Sequence, residues 1–216
     1  FTADISVSDA KLQARNMGVI FSSISIEGMF EATLAALREE FKGRKADGTE
    51  ENIQSRCRML ILMGLSNKTG KMLLTTGNKS ETAVGYATLY GDMAGGFAPI
   101  KDCSKMLVYR LAEYRNTVSP VIPQRVIDRP PSAELSPNQK DSDSLPEYPV
   151  LDAILEAFIE EDLSVDEICA RGFDRATVGR VLDLVKRNEY KRRQAPPGVR
   201  VSRIQALDSE LAMALN

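Results

Sequence analysis

The sequence predicts an α/β fold, a parallel and doubly wound sheet with a helical C-terminal part, and three observations carry that expectation. Segments of helical spacing alternate with short apolar runs that read as strands, at Val19 to Ile24 and at Lys71 to Thr75. The second run breaks into a Thr-Gly-Asn turn, which opens a helix and then a glycine-rich loop. That order of elements is how an α/β sheet builds a phosphate site at the carboxyl ends of its strands. The last third of the chain carries apolar residues at helical spacing with no strand signal.

Each element has its own signal. Ser6 to Met17 places Ala10, Leu12 and Ala14 among polar neighbours, with Gly18 positioned to end the helix in a left-handed conformation. After the Val19 strand, Met29, Phe30, Leu34 and Leu37 predict a helix from Glu27 to Phe41. Thr49 to Ser66 is expected as a long helix. Ile53, Cys57, Leu60 and Ile61 form its apolar stripe, and Asn52 and Arg56 share another face that core packing does not explain. Met72, Leu73 and Leu74 read as a buried strand, followed by a helix from about Ser80 to Tyr90 and another, capped by Asp102, through Lys105 to Tyr114. Two strands do not make an independently stable sheet, so the sheet is expected to be incomplete. Residues 118–149, rich in proline, serine and charge, read as a lid or a disordered loop too polar to pack. Beyond it, Val150 to Ile159 repeats at helical spacing, Ser164 to Glu167 is a capping box, and Asp174 caps a helix carrying Val178, Val181, Leu182 and Val185. The domain expectation is thus a partial nucleotide-binding part over 1–147, helices over 148–194, and a weakly patterned tail over 195–216.

Composition narrows the chemistry. Of 216 residues, 43% hydrophobic with 27% charged suits one soluble domain with an appendage, and a net charge of −2 argues against a general nucleic-acid or membrane-surface binder. No apolar run is long enough to span a bilayer, which makes a cytoplasmic chain the expectation. Cys57, Cys103 and Cys169 are odd in number and lack CxxC spacing, so they read as small buried thiols. The sequence contains no histidine, which removes Ser-His-Asp and Cys-His nucleophile systems from this chain. Carboxylates, lysines, arginines and hydroxyls remain.

The runs LTTGNKSE and GYATLYGDMAGGFAPIKD carry a family resemblance. They resemble the synthetase domain of NAD synthetases, ATP-consuming enzymes that amidate deamido-NAD, and the match continues to about Ser202. The resemblance implies an adenine-nucleotide alpha-hydrolase-like, Rossmann-like fold, ATP and Mg2+ as cofactors, deamido-NAD as substrate, and ammonia as nitrogen donor, either free or released from glutamine. Two further features bear on it. The chain begins at Phe1 and carries nothing like the SGGxDS phosphate loop, while FTADISVSDA resembles the segment that follows the second strand of the family's sheet. The expectation is an N-terminally truncated fragment whose phosphate loop lies upstream, inactive alone, and associating as a homodimer or larger homo-oligomer. Leu89 stands where the ammonia-only branch often has a substrate-contacting lysine; with the ending PPGVRVS, this leans toward the glutamine-dependent branch, whose glutaminase domain would also lie upstream.

The resemblance also assigns residues. Amidation first makes the carboxylate an electrophile by transferring AMP from ATP, so the site must position two polyanions and neutralise charge on the α-phosphate. Glu81, on the first helical turn after Thr76-Gly77-Asn78, matches a position contacting magnesium or deamido-NAD, although a glutamate there also complements a helix dipole. Thr76 matches an ATP-contacting threonine and could equally be a capping hydroxyl. Lys105 matches a lysine that reaches the ATP phosphates, and a lysine at a helix start is mildly unfavourable to the helix itself. Ser132 in PPSAEL matches the hydroxyl of an ATP-closing loop, or is an ordinary turn serine. Asn52 and Arg56 match deamido-NAD contacts, where arginine suits a pyrophosphate or pyridine carboxylate. Tyr190 and Lys191 in NEYKRR match further dinucleotide contacts, or belong to a solvated basic helix end.

Two other functions compete. SVDEICARGFDRATVGRVLDLVKRNEYKRR has the form of a helix-turn-helix DNA-binding unit, with two capped helices joined through Gly172 and cations on the second. A nucleotide-binding or assembly module without turnover is the third reading, suggested by the missing phosphate loop.

Overall fold

A computed structural model describes residues 2–203. Ten α-helices follow one another among these residues: α1 (Asp4–Met17), α2 (Glu27–Ala36), α3 (Gly48–Thr69), α4 (Lys79–Val84), α5 (Lys105–Val118), α6 (Gln124–Asp128), α7 (Tyr148–Leu155), α8 (Val165–Ala170), α9 (Arg175–Arg187) and α10 (Glu189–Arg192). The tail beyond residue 203 lies outside the described residues.

The helix signals translate closely. Gly18 closes α1 at φ 67°, Ser164 and Glu167 form the capping box of α8, and Asp174 accepts from the Thr177 amide to start α9. Three details differ. The second helix stops at Ala36 rather than Phe41, and turns carry the chain from there to Gly43. The helix expected to reach Tyr90 ends at Val84, where Gly85 adopts φ 71° and Asn188 packs so close that a Cβ would meet its side chain at 2.1 Å. Ser104, not Asp102, caps α5 by accepting from the Leu107 amide.

The expected strands do not form among the described residues. Val19 to Ile24 has no ladder partner, and Ile20 is 91% exposed. Residues 71–75 make a single parallel bridge, Leu74 with Phe97, with the Thr75 amide donating to the Phe97 carbonyl and the Gly96 amide to that of Leu73. Met72 and Leu74 are exposed rather than buried. The cause is that a strand is defined by its neighbours: apolar extended backbone with one short partner has no ladder to propagate.

The main core lies elsewhere. Leu151 and Ile154 of α7, Ile168 of α8, and Val178, Val181 and Val185 of α9 are fully buried, and Ala83 and Val84 of α4 belong to the same cluster. A smaller cluster joins Ile26, Ile53 and Cys57 with the apolar face of α2. Residues 118–149, expected to be too polar to pack, are instead tied down by polar bonds. The Asn116 carboxamide accepts from the Val121 and Ile122 amides, Arg125 pairs with Asp9 at 2.5 Å, and Arg129 pairs with Glu134 at 3.0 Å.

Residues 196–202 run back as a strap over the glycine-rich loop. The Ala98 amide donates to the Pro197 carbonyl at 2.9 Å, and Lys101 Nζ to the Pro196 carbonyl at 2.5 Å. Asp102 receives the Val201 amide at 2.6 Å, and the Ser202 amide and hydroxyl at 2.7 Å each, beside Lys79 Nζ at 3.2 Å. Burial raises the Asp102 carboxyl, but the Ser202 amide and hydroxyl, the Val201 amide and Lys79 outweigh it and hold it below the ordinary 3.8.

Two expectations follow. Ile154→Ala opens a cavity in the fully enclosed α7 core and should cost about 2–5 kcal/mol, read as a lower urea midpoint with an unchanged slope. A carboxyl depressed in the folded state contributes stability that is complete above its unfolded value and is lost as pH falls through the folded one. Protection of the Val201 and Ser202 amides from exchange should therefore hold at neutral pH and collapse below about 3.8; protection that persists into strong acid would show that Asp102 does not fasten the strap.

Candidate active site

The site is built around the start of α4. Asn78 and Glu81 form a reciprocal capping box: Asn78 Oδ1 accepts from the Glu81 amide at 3.0 Å, and Glu81 Oε2 accepts from the Asn78 amide at 3.2 Å. This fixes the Glu81 carboxylate over the Thr75–Asn78 turn. Its second oxygen, Oε1, meets Lys105 Nζ at 3.0 Å, and both side chains are largely shielded from water. Lys105 Nζ also lies 5.0 Å from the centroid of the Tyr148 ring, within cation–π range.

Lys105 is the first residue of α5, and the surrounding chain holds it there. Its amide donates to Ser80 Oγ at 2.8 Å, the Ser80 hydroxyl donates to Asp152, and Asp152 in turn accepts the Met106 amide at 2.9 Å. One carboxylate on α7 thus orients the start of both α4 and α5. Glu81, Lys105 and Ser132 line one cavity of about 440 Å³, together with Tyr86, Asp92 and Asp141. Ser132 Oγ accepts from the Glu134 amide at 3.1 Å, so the hydroxyl also stabilises its own turn. A smaller adjoining cavity is lined by Gly77, Glu81, Asp92, Lys101 and Lys191.

The other expected residues divide. Lys191 lines the smaller cavity, where Nζ donates to the Gly85 carbonyl at 2.8 Å and the Ala87 carbonyl at 2.7 Å; burial lowers its pKa, with Asp92 acting in the opposite direction. Tyr190, its neighbour in sequence, points outward and is exposed. Thr76 is exposed on the turn beside the cap. Asn52 and Arg56 reach the site through residues 88–92: Asn52 Oδ1 accepts the Thr88 hydroxyl at 2.8 Å, and Arg56 Nε donates to the Leu89 carbonyl at 3.2 Å. The Asp92 amide donates to Ser55 Oγ on the same helix.

Sequence reasoning passed over three groups that line this cavity, Asp92, Asp141 and Tyr86, and a fourth, Tyr148, buried behind Asp141. Asp92 lines both cavities, and desolvation by the surrounding protein raises its carboxyl despite the Thr88 amide at 2.6 Å. Asp141 is buried and accepts the Tyr148 hydroxyl at 2.8 Å. Tyr86 and Tyr148 both have phenol pKa values pushed well up, first by burial and then by nearby carboxylates. Asp92 falls inside the GYATLYGD run, so its signal was present; Asp141 lies in a segment whose composition reads as a loop.

Among the described residues no group of three or more His, Cys, Asp or Glu side chains is arranged to hold a metal, and no helix is long and apolar enough to cross a membrane.

Known proteins share this arrangement of sequence and fold. The glutamine-dependent NAD(+) synthetase of Acinetobacter baylyi is 58% identical over 204 residues, which cover 94% of this chain and 38% of that protein. The corresponding enzyme of Aquifex aeolicus is 50% identical over 202 residues, covering 36% of its length. Among solved structures, the glutamine-dependent NAD+ synthetase of Acinetobacter baumannii in complex with ADP superimposes with a TM-score of 0.60 at 51% identity, covering 95% of this chain and 37% of that one. That of Cytophaga hutchinsonii gives a TM-score of 0.78 at 26% identity, covering 99% and 38%. The chain therefore spans somewhat over a third of the length of the curated relatives it matches. The family model for NAD synthase matches residues 1–195, nearly the whole of the described chain, and the chain belongs to the NAD synthase family.

Proposed function

We propose that this chain supplies part of the synthetase site that amidates deamido-NAD to NAD at the expense of ATP, in NAD biosynthesis and with ammonia drawn from glutamine. The observation that carries the reading is the Glu81–Lys105 pair on the Asn78 cap, one anion and one cation enclosed over a turn of backbone amides. ATP enters the reading through the ADP complex of the Acinetobacter baumannii relative, since ADP presents the adenosine and two of the phosphates of ATP. Residues 71–75 then act as a strand of a doubly wound sheet, paired with backbone beyond these residues, and 1–147 and 148–194 act as its α/β and helical parts. The exposed apolar side chains Ile20, Leu60 and Leu65 suit association with a second copy. A cytoplasmic location belongs to the same reading.

The chemistry follows from where the charges stand. Without a polyanion in the cavity, Lys105 neutralises Glu81. When ATP phosphates occupy it, Lys105 turns to them, and Glu81 is released to offer a hard oxygen. Mg2+ suits this donor set, because it binds through one or two carboxylates, water and substrate phosphates rather than an all-protein cage. When bound, Mg2+ supplies charge neutralisation on the phosphates. Thr76 and Ser132 offer hydroxyls to the nucleotide, Lys191 contacts deamido-NAD from the smaller cavity, and Asn52 and Arg56 hold residues 88–92 where the dinucleotide passes. Tyr190 completes the dinucleotide contacts at the surface. The alternative of nucleotide binding without turnover shares this geometry and differs in yielding no NAD.

In the natural polypeptide that carries this chain, Glu81→Gln and Lys105→Ala should each lower kcat by on the order of 100-fold or more while leaving the circular dichroism spectrum intact, because both act on charge that develops as AMP is transferred. Near-normal NAD formation by either folded variant at saturating ATP and magnesium would remove both from the site. Asn52→Ala and Arg56→Ala should instead raise KM for deamido-NAD about tenfold, by the loss of one hydrogen bond that holds residues 88–92 in place. A change confined to the KM of ATP would reassign that face of α3.

A further inference from the structure

We infer that Asp102 is a positioning residue for the Glu81–Lys105 pair, and that it acts by clasping the C-terminal strap onto the start of α4. The inference rests on the functional reading above, but the clasp itself is a matter of geometry. Asp102 is 3% exposed, and its carboxylate gathers the Val201 amide, the Ser202 amide and the Ser202 hydroxyl within 2.7 Å. Lys79 is 7% exposed; its Nζ meets Asp102 at 3.2 Å, the Ser202 hydroxyl at 2.5 Å, and Glu160 in a short ion pair.

Four segments therefore meet at one buried charge network: the first residue of α4, the end of the glycine-rich loop, the π-helical turn Glu156–Glu160 that continues α7, and the strap. A network of this kind is costly when half satisfied, so its members hold one another in a single arrangement. The arrangement is transmitted by backbone. The Lys79 amide donates to the Cys103 carbonyl at 2.8 Å, which locks the start of α4 to the residue before the cap of α5. Ser80, next to Lys79, accepts the Lys105 amide. The strap reaches the same loop from outside, where Gly198 packs against the Ala98 carbonyl so closely that a Cβ would lie at 2.5 Å. Loss of the clasp would free the 98–104 loop on one side, and Lys105 would lose its fixed distance from Glu81.

This network plays no part in the cavity that Glu81, Lys105 and Ser132 line. Lys79, Asp102, Glu160 and Ser202 border a separate cavity of about 260 Å³. A defect in the clasp should thus reach the chemistry through placement, not through lost contact with a phosphate.

The test uses Asp102→Ala, Ser202→Ala and Ser202→Thr in the natural polypeptide, with rates normalised to the folded fraction at low temperature. Expected are a loss in kcat of tenfold or more for Asp102→Ala and about fivefold for Ser202→Ala, with KM for ATP and for deamido-NAD moving less than threefold. Ser202→Thr keeps the hydroxyl donor and should restore kcat to within twofold. Amide exchange at residues 79–82 and 105–108 should quicken at least tenfold in Asp102→Ala. Unchanged exchange at these amides overturns the clasp whatever the activity, and quickened exchange with unchanged kcat overturns the positioning role. If the unmodified protein forms no NAD, the proposed function fails while the exchange measurement still decides whether the clasp holds the pair's two helix starts.

Discussion

The whole site depends on holding a helix too short to hold itself. An isolated helix of six residues has no net tendency to form, because the cost of fixing its first turn is never recovered by propagation. α4 is such a helix; its own capping residues satisfy its start, and side chains from the end of α9 and from α10 satisfy its far end. At its start, Asn78 and Glu81 cap each other. At its far end, Arg192 Nη1 donates to the Ala83 carbonyl, Asn188 Nδ2 to that of Val84, and Lys191 Nζ to those of Gly85 and Ala87. Cations at a helix C-terminus and a carboxylate at its N-terminus both suit the backbone dipole. With Ala83 and Val84 sunk in the core of α7 and α9, the helix becomes a rigid platform that presents Glu81 to one cavity.

The same contacts bear on the basic C-terminal segment. Read as sequence, SVDEICARGFDRATVGRVLDLVKRNEYKRR offers two capped helices and a set of cations, the form of a DNA-reading unit. In the fold, α9 spends its apolar face on the core through Val178, Val181, Leu182 and Val185. Several cations are committed within the chain: Arg175 pairs with Asp166, Arg180 donates to the Ser144 carbonyl, and Arg192 is buried with its pKa lowered by desolvation. The basic residues Lys191 and Arg192 of α10 cap another helix, so part of the cation pattern in this segment arises from packing.

What was legible in the sequence was local. Caps, left-handed glycines and helical stripes specify their elements within a few residues, and the signals at Ser164, Asp174 and Gly18 each have their counterpart in the fold. Met72 to Leu74 failed as a buried strand because burial on a sheet is a property of the neighbours, and residues 71–75 have one short parallel partner. Asp102 looked like a cap because it precedes a helix; its true partners, Val201 and Ser202, are about a hundred positions away. The Glu81–Lys105 pair could be named from the resemblance, but its closeness could not, since that rests on Ser80 and Asp152 aligning two helix starts.

Lys191 shows how packing can place a charge at a cavity wall. An ammonium has three N–H donors and no acceptor. Two of them go to the carbonyls of Gly85 and Ala87, which fixes the head group at the wall of the smaller cavity, beside Asp92. Burial disfavours its charge, so a ligand anion arriving there would stabilise the protonated lysine more than it would at the surface. The packing role thus places the charge, while Tyr190, one position earlier on α10, stands in solvent. The resemblance treats the two as one motif. The fold separates them: Lys191 lines the smaller cavity, and its neighbour faces solvent.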